Sequence, residues 1–159
     1  MEQAIAKFMM TMSKFEFFLI NLDIDLAHVA KVRGLDVVQG VNWTRLAARV
    51  EGRYAFATFD FERSGFAVFR NTAPQYLTRD GAGKLKWDSD DNPQASWDWL
   101  LSRSFAQFRN NVAHGNKHQL PAPFTFGRTQ EFLHAAPILI EFIAHDVLDT
   151  PQWQTPIFN

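Results

Sequence analysis

The residues best suited to chemistry lie in one short run, Phe108-Arg109-Asn110-Asn111-Val112-Ala113-His114-Gly115-Asn116-Lys117. It places a permanent cation, Arg109, and a titratable imidazole, His114, at the C-terminal end of a helix. A guanidinium offers paired donors to a phosphate or carboxylate. An imidazole takes up and releases a proton near neutral pH. Asn111, Asn116 and Lys117 are candidates to hold an anionic substrate beside them, and His118 adds to the same surface. A structural reading stands next to this one. Basic side chains in a last helical turn gain roughly 0.3–1 kcal/mol each from the macrodipole, and a glycine after them is ordinary capping.

Two further constellations carry charge. Arg45, Arg49 and Arg53 repeat at four-residue steps and make a basic stripe if one helix holds all three. Such a stripe can track an RNA backbone, or it is a solvated face paired with nearby acids. Glu141 and His145, with His134 on the same helix and Asp25 and His28 on the first, have types that ligate metals. At about 100° per residue, however, His134, Glu141 and His145 lie opposite Phe132, Leu139 and Ile143. A solvated face is the expectation there, and neither a metal nor another cofactor is expected. No Gly-rich phosphate loop, Gly-x-Ser-x-Gly elbow or His-Glu-x-x-His string occurs.

Four helices must position these groups. Ile5, Phe8, Met9, Met12, Phe15, Leu19, Leu22, Leu26 and Val29 recur at steps of three and four, which predicts a first helix ending at Arg33-Gly34. Asn42 caps a second, with Trp43, Leu46, Ala47 and Val50 on one face. Residues 54–61 read equally as its continuation or as a strand. Residues 64–94 read as an insert with a small β-hairpin around Arg79-Asp80-Gly81-Ala82-Gly83, closed by an acidic loop. A third helix is capped by Ser96, buries Trp97, Leu101, Phe105, Phe108 and Val112, and ends at Gly115. The fourth runs from Thr129 to Leu148 with a kink expected at Pro137, followed by an irregular tail. The expected fold is therefore mainly α, a four-helix bundle with a β insert, in a single domain over 1–159.

On the third helix a regular wheel turns Trp99, Ala106, Asn110 and Ala113 outward between Arg109 and His114. Two alanines and a tryptophan on an outer face let a second helix approach, which suits a homodimer seam.

Composition narrows the partners. Of 159 residues, 47% are hydrophobic, and 16 Phe with 5 Trp are ample for a core. Sixteen basic against seventeen acidic groups give a net charge of -1, so no global field draws nucleic acid, though a local basic surface is compatible with it. The absence of cysteine excludes a disulfide scaffold, a zinc ribbon and a thiol nucleophile, and fits a reducing cytoplasm. Glu2 stands where a signal peptide wants a base, and no stretch approaches the ~20 apolar residues of a membrane span. A cytoplasmic protein without membrane contact is the expectation.

Arg109-Asn110-x-x-x-His114 resembles the Arg-(Asn/Asp/His)-x-x-x-His signature of the HEPN superfamily (higher eukaryotes and prokaryotes nucleotide-binding), and Arg-Asn-x-x-Ala-His-Gly is a common form of it. The match covers about ten residues, together with helix number and order. The resemblance implies a HEPN-like helical bundle and a metal-independent, dimeric endoribonuclease. Such proteins often act as toxins in toxin–antitoxin, antiphage or abortive-infection systems, with a cognate antitoxin as partner. Arg109, Asn110 and His114 take the catalytic positions in that comparison. Some members instead bind RNA, a nucleotide or a partner without cutting.

Overall fold

The computed structural model describes residues 1–88, 95–113 and 126–155, of which 126 and 127 by backbone alone. The molecule is mainly helical, with two separate two-stranded antiparallel sheets. Helix α1 (Glu2–Leu22) buries Phe8, Met12, Phe15 and Leu19, the stripe its sequence spells. It stops at Leu22, well short of Gly34. Asp23 adopts an extended conformation and its carboxylate accepts the backbone N–H of Asp25, which captures a donor the helix would need and starts a 3-10 turn, Ile24–Leu26.

The chain then forms β1 (Ala27–Val32) and β2 (Leu35–Val41), joined by Arg33 and Gly34 at φ 51° and 81°. Two left-handed residues make the type I′ turn that matches the twist of paired strands. Gly34 is thus a hairpin residue and not a helix cap. Leu26 is buried on the 3-10 turn, whereas Val29 stands exposed on β1.

Helix α2 (Trp43–Arg53) begins where Asn42 accepts the Arg45 N–H, and it buries Leu46, Ala47 and Val50. Residues 54–61 are neither strand nor helix extension. They hold a 3-10 turn, Phe56–Thr58, and lead into α3 (Phe61–Ser64) and α4 (Ala67–Asn71). Phe66 and Phe69 are buried in the main core, so the expected insert at 64–94 is too wide. The hairpin β3 (Tyr76–Arg79) and β4 (Leu85–Asp88) contributes no residue to that core. The acidic loop expected after it lies outside the described residues apart from Asp88.

Gly65 shows why one turn is built as it is. It takes φ +82° between α3 and α4, and a Cβ there would lie 3.1 Å from Ile138 Cδ1. Gly65→Ala is expected to cost roughly 1–2 kcal/mol through backbone strain and crowding together. Gly34→Ala has a similar φ but open space around it, so its penalty should be smaller. Urea unfolding of both variants measures the difference.

The chain returns to helix at Ser96, whose hydroxyl accepts the Trp99 N–H as expected of a cap. From Trp99 to Phe105 the bonding is π-helical, and α5 (Ala106–Ala113) continues it. Each i→i+5 turn holds about one residue more than an α turn, so the wheel unwinds. Trp99 and Ala106 consequently face inward, at 4% and 8% exposure. The small-residue seam expected on this helix does not exist in that form. Asn110 and Ala113 alone of the four stay exposed.

Helix α6 (Phe126–Phe142) runs through the exposed Pro137 and passes into a second π segment, Ile143–Val147. Phe132, Ala136, Leu139, Ile143 and Val147 are buried as expected. The described part of the tail, residues 150–155, is irregular as expected. Trp153 is buried against Phe15 and Phe18 of α1 and donates from Nε1 to Glu141 at 3.1 Å.

At the core's centre the Trp97 ring meets Phe56, Phe59, Phe61, Phe66 and Phe142, with centroids 5.0–6.5 Å apart. A second aromatic layer, Phe8, Phe69, Phe108 and Phe132, packs α1, α4, α5 and α6 together. That layer sets where α5 presents its polar side.

Candidate functional site

Phe108 and Val112 anchor α5 in the core, which turns the intervening Arg109 and Asn110 toward solvent. The Arg109 side chain is one-third exposed. Its Nη2 donates to Oε2 of Glu16 on α1 at 2.9 Å, and its Nη1 donates to Oδ1 of Asn110 at 3.1 Å. Glu16 is the more buried partner, with 19% of its side chain exposed. Arg109 Nε is buried and has no hydrogen-bond partner among the described residues. The guanidinium is therefore held in place with its Nε–H unused among the described residues.

Asn111 faces the other way. It is buried, donates to the Gln75 carbonyl at 2.6 Å and accepts from Gln107 Nε2 at 2.7 Å. Its Nδ2 joins α5 to the segment before β3, while its Oδ1 takes a bond from within α5 itself. His114, Asn116, Lys117 and the cap Gly115 lie outside the described residues.

The basic stripe on α2 resolves into ion pairs. Arg49 meets Asp23, and Arg53 forks onto both carboxylate oxygens of Asp149 while also donating to the Asp146 carbonyl at 3.1 Å. Arg45 is exposed and forms no such pair among the described residues. Two of the three cations are thus neutralised at contact distance, and the solvated, acid-paired face describes Arg49 and Arg53.

These pairs set an expected acid response. The guanidinium of Arg49, helped by the Asp25 N–H, holds the Asp23 carboxyl below its ordinary value of 3.8, and Arg53 does the same for Asp149. A carboxyl lowered in the folded state stabilises it above the unfolded value, and that contribution fades as pH falls through the folded value. Stability should therefore drop as pH falls below about 3.8, and Asp149→Asn should flatten part of that fall. Urea midpoints between pH 5 and about pH 2.5 would register it. Asp149 is exposed and Asp23 about one-third so, so the effect is small.

The second constellation is structural in this geometry. Glu141 accepts Trp153 and Gln154 on Oε1 and meets His145 Nε2 at 2.8 Å on Oε2. Among the described residues no three His, Asp or Glu side chains form a metal-binding group. Glu141 and His145 edge an open cleft of about 480 Å³, walled by Tyr54, Phe59, Phe66 and Phe142. It shares no residue with the Arg109 site.

Sequence reasoning missed Glu16, which lies 93 positions from Arg109. Its position on α1 just beside the buried Phe15 was the available sign. It also missed an apolar exterior: Met10, Phe17, Ile24 and Leu35 are each more than 60% exposed along α1, the 3-10 turn after it and the first hairpin. None of the described helices is long and apolar enough to cross a membrane. In comparisons with known proteins, no family model matches the chain, and neither a curated protein nor a solved structure matches it.

Proposed function

We propose that this chain is a metal-independent endoribonuclease of HEPN type, built on a HEPN-like bundle and acting as a homodimer. The observation that carries the reading is the string Arg109-Asn110-x-x-x-His114, of which Arg109 and Asn110 lie on the solvent side of α5. RNA supplies its own nucleophile in the 2′-OH. One His114 imidazole takes that proton as the oxygen attacks phosphorus, and an imidazolium protonates the departing 5′ oxygen. The products are a 2′,3′-cyclic phosphate and a 5′-OH. Arg109 offsets the charge that builds on the phosphoryl oxygens, and Asn110 holds the guanidinium.

A twofold partner brings a second His114, so the two copies divide the acid and base roles. The apolar strip on α1 supports association close to the site, since the 70%-exposed Phe17 directly follows Glu16. In a cell, such an enzyme serves as a toxin or antiphage effector restrained by a cognate antitoxin in the cytoplasm. One observation favours the alternative, a noncatalytic module that binds RNA, a nucleotide or a protein: Glu16 already occupies Arg109.

The test uses one oligonucleotide sequence made as RNA and as DNA, incubated with the purified protein in EDTA. The nuclease reading expects cleavage of the RNA alone and cyclic-phosphate ends. Cutting of the DNA, or activity only after metal is added back, overturns the mechanism.

A further inference from the structure

We infer that Glu16 is an acidic latch on Arg109, and that the Nε–Nη2 edge of this guanidinium is the seat of a phosphodiester which must displace it. The inference deepens the nuclease reading and rests on its assignment of Arg109 to phosphate. Three observations lead to it. Nη2 and Nε share one edge of the guanidinium, the edge that grips a two-oxygen acceptor side-on. Glu16 holds that edge through Nη2, by Oε2 at 2.9 Å. Among the described residues the neighbouring Nε is buried without a partner, although buried donors in folded proteins are nearly always paired.

A single carboxylate contact thus leaves the edge half used. A phosphodiester has two non-bridging oxygens at a spacing that fits both donors. It satisfies Nη2 as Glu16 does and also relieves Nε. Asn110 stays on Nη1 throughout, outside the exchange, so the guanidinium keeps its orientation while its partner changes. Because Glu16 is mostly buried and one-third of Arg109 is exposed, an incoming ligand meets the cation from solvent while the carboxylate stays on α1. Glu16 then acts as a selectivity device. It denies the site to weakly competing anions and yields to a ligand that fills both donors. It touches Arg109 and not the reacting atoms, and is a positioning and competing residue.

The experiment measures binding of a 2′-O-methyl RNA oligonucleotide, which lacks the nucleophile and is not cut. Wild type, Glu16→Gln, Arg109→Gln and the double variant are compared, each with its thermal midpoint. Removing the competing charge is expected to tighten binding roughly three- to tenfold, and the gain should vanish in the double variant. In wild type, the Arg109 Nε–H resonance should shift as the oligonucleotide is titrated, a readout that needs no substitution. Unchanged or weaker binding by folded Glu16→Gln overturns the latch, as does an Nε–H resonance that never moves. Cleavage of ordinary RNA in EDTA is scored separately. A latch without cleavage removes the nuclease reading alone, and cleavage without the gain removes the latch alone.

Discussion

His114→Ala should slow RNA cleavage by about 10²–10⁴-fold, the usual contribution of a positioned general acid or base. The loss should fall on turnover more than on substrate affinity, because proton transfer belongs to the transition state. Arg109→Gln should cost about 10²–10³-fold by removing charge stabilisation, and it should also weaken binding. If one imidazole works as base and its twin as acid, wild-type activity follows a bell-shaped pH profile that Arg109→Gln retains at lower activity and His114→Ala loses. The discriminating control is thermal unfolding. A His114→Ala protein that melts with wild type but does not cut places His114 in the chemistry. One that loses several degrees assigns it a structural role, and full activity in a folded variant ends the nuclease mechanism.

Trp97→Ala should destabilise the fold by about 3–5 kcal/mol, the range for removing a large buried aromatic. Trp97 is 1% exposed and its indole touches five other rings. It also donates from Nε1 to the Tyr54 carbonyl at 2.6 Å, across 43 positions of chain. The alanine therefore opens a cavity among rings that cannot all shift together and leaves a buried acceptor unpaired. For a chain of this size each kcal/mol shifts the midpoint by roughly 2–4 °C, so a fall of about 6–20 °C is expected. Trp97→Phe separates the two causes: it refills most of the space, still lacks the donor, and should cost roughly 1–2 kcal/mol. A loss below about 1 kcal/mol for Trp97→Ala would show that the aromatic cluster does not hold α3, α4 and α6 together.

Much of the fold was legible in local patterns. The faces of α1 and α6 follow from apolar residues at steps of three and four. The starts of α2 and of the Trp97 helix follow from Asn42 and Ser96, because a cap needs only a side-chain oxygen and a donor two or three residues away. The hairpin at 76–88 follows from alternation around a Gly-rich turn. For the candidate site, the placement of Arg109 and its neighbour Asn110 on the polar side of one helix was readable for the same reason: residue types and spacing along one helix are local properties.

The structure decided what depends on competition between distant groups. The apolar period of α1 continues to Val29, yet the Asp23 cap and the Arg33-Gly34 turn offer that stretch a better set of hydrogen bonds as a hairpin. The π segment before α5 turns Trp99 and Ala106 into the core, and a wheel that assumes constant winding cannot register this. Arg49 and Arg53 lose their free charge to Asp23 and Asp149, which lie 26 and 96 positions away. Arg109 likewise receives Glu16 from the far end of the chain. Periodicity and capping are written within a few residues of each other, so the sequence determined which elements form and which faces they bury. Charge partners, winding defects and exposed apolar surface depend on which elements meet, and only packing the whole chain around its aromatic core settled those.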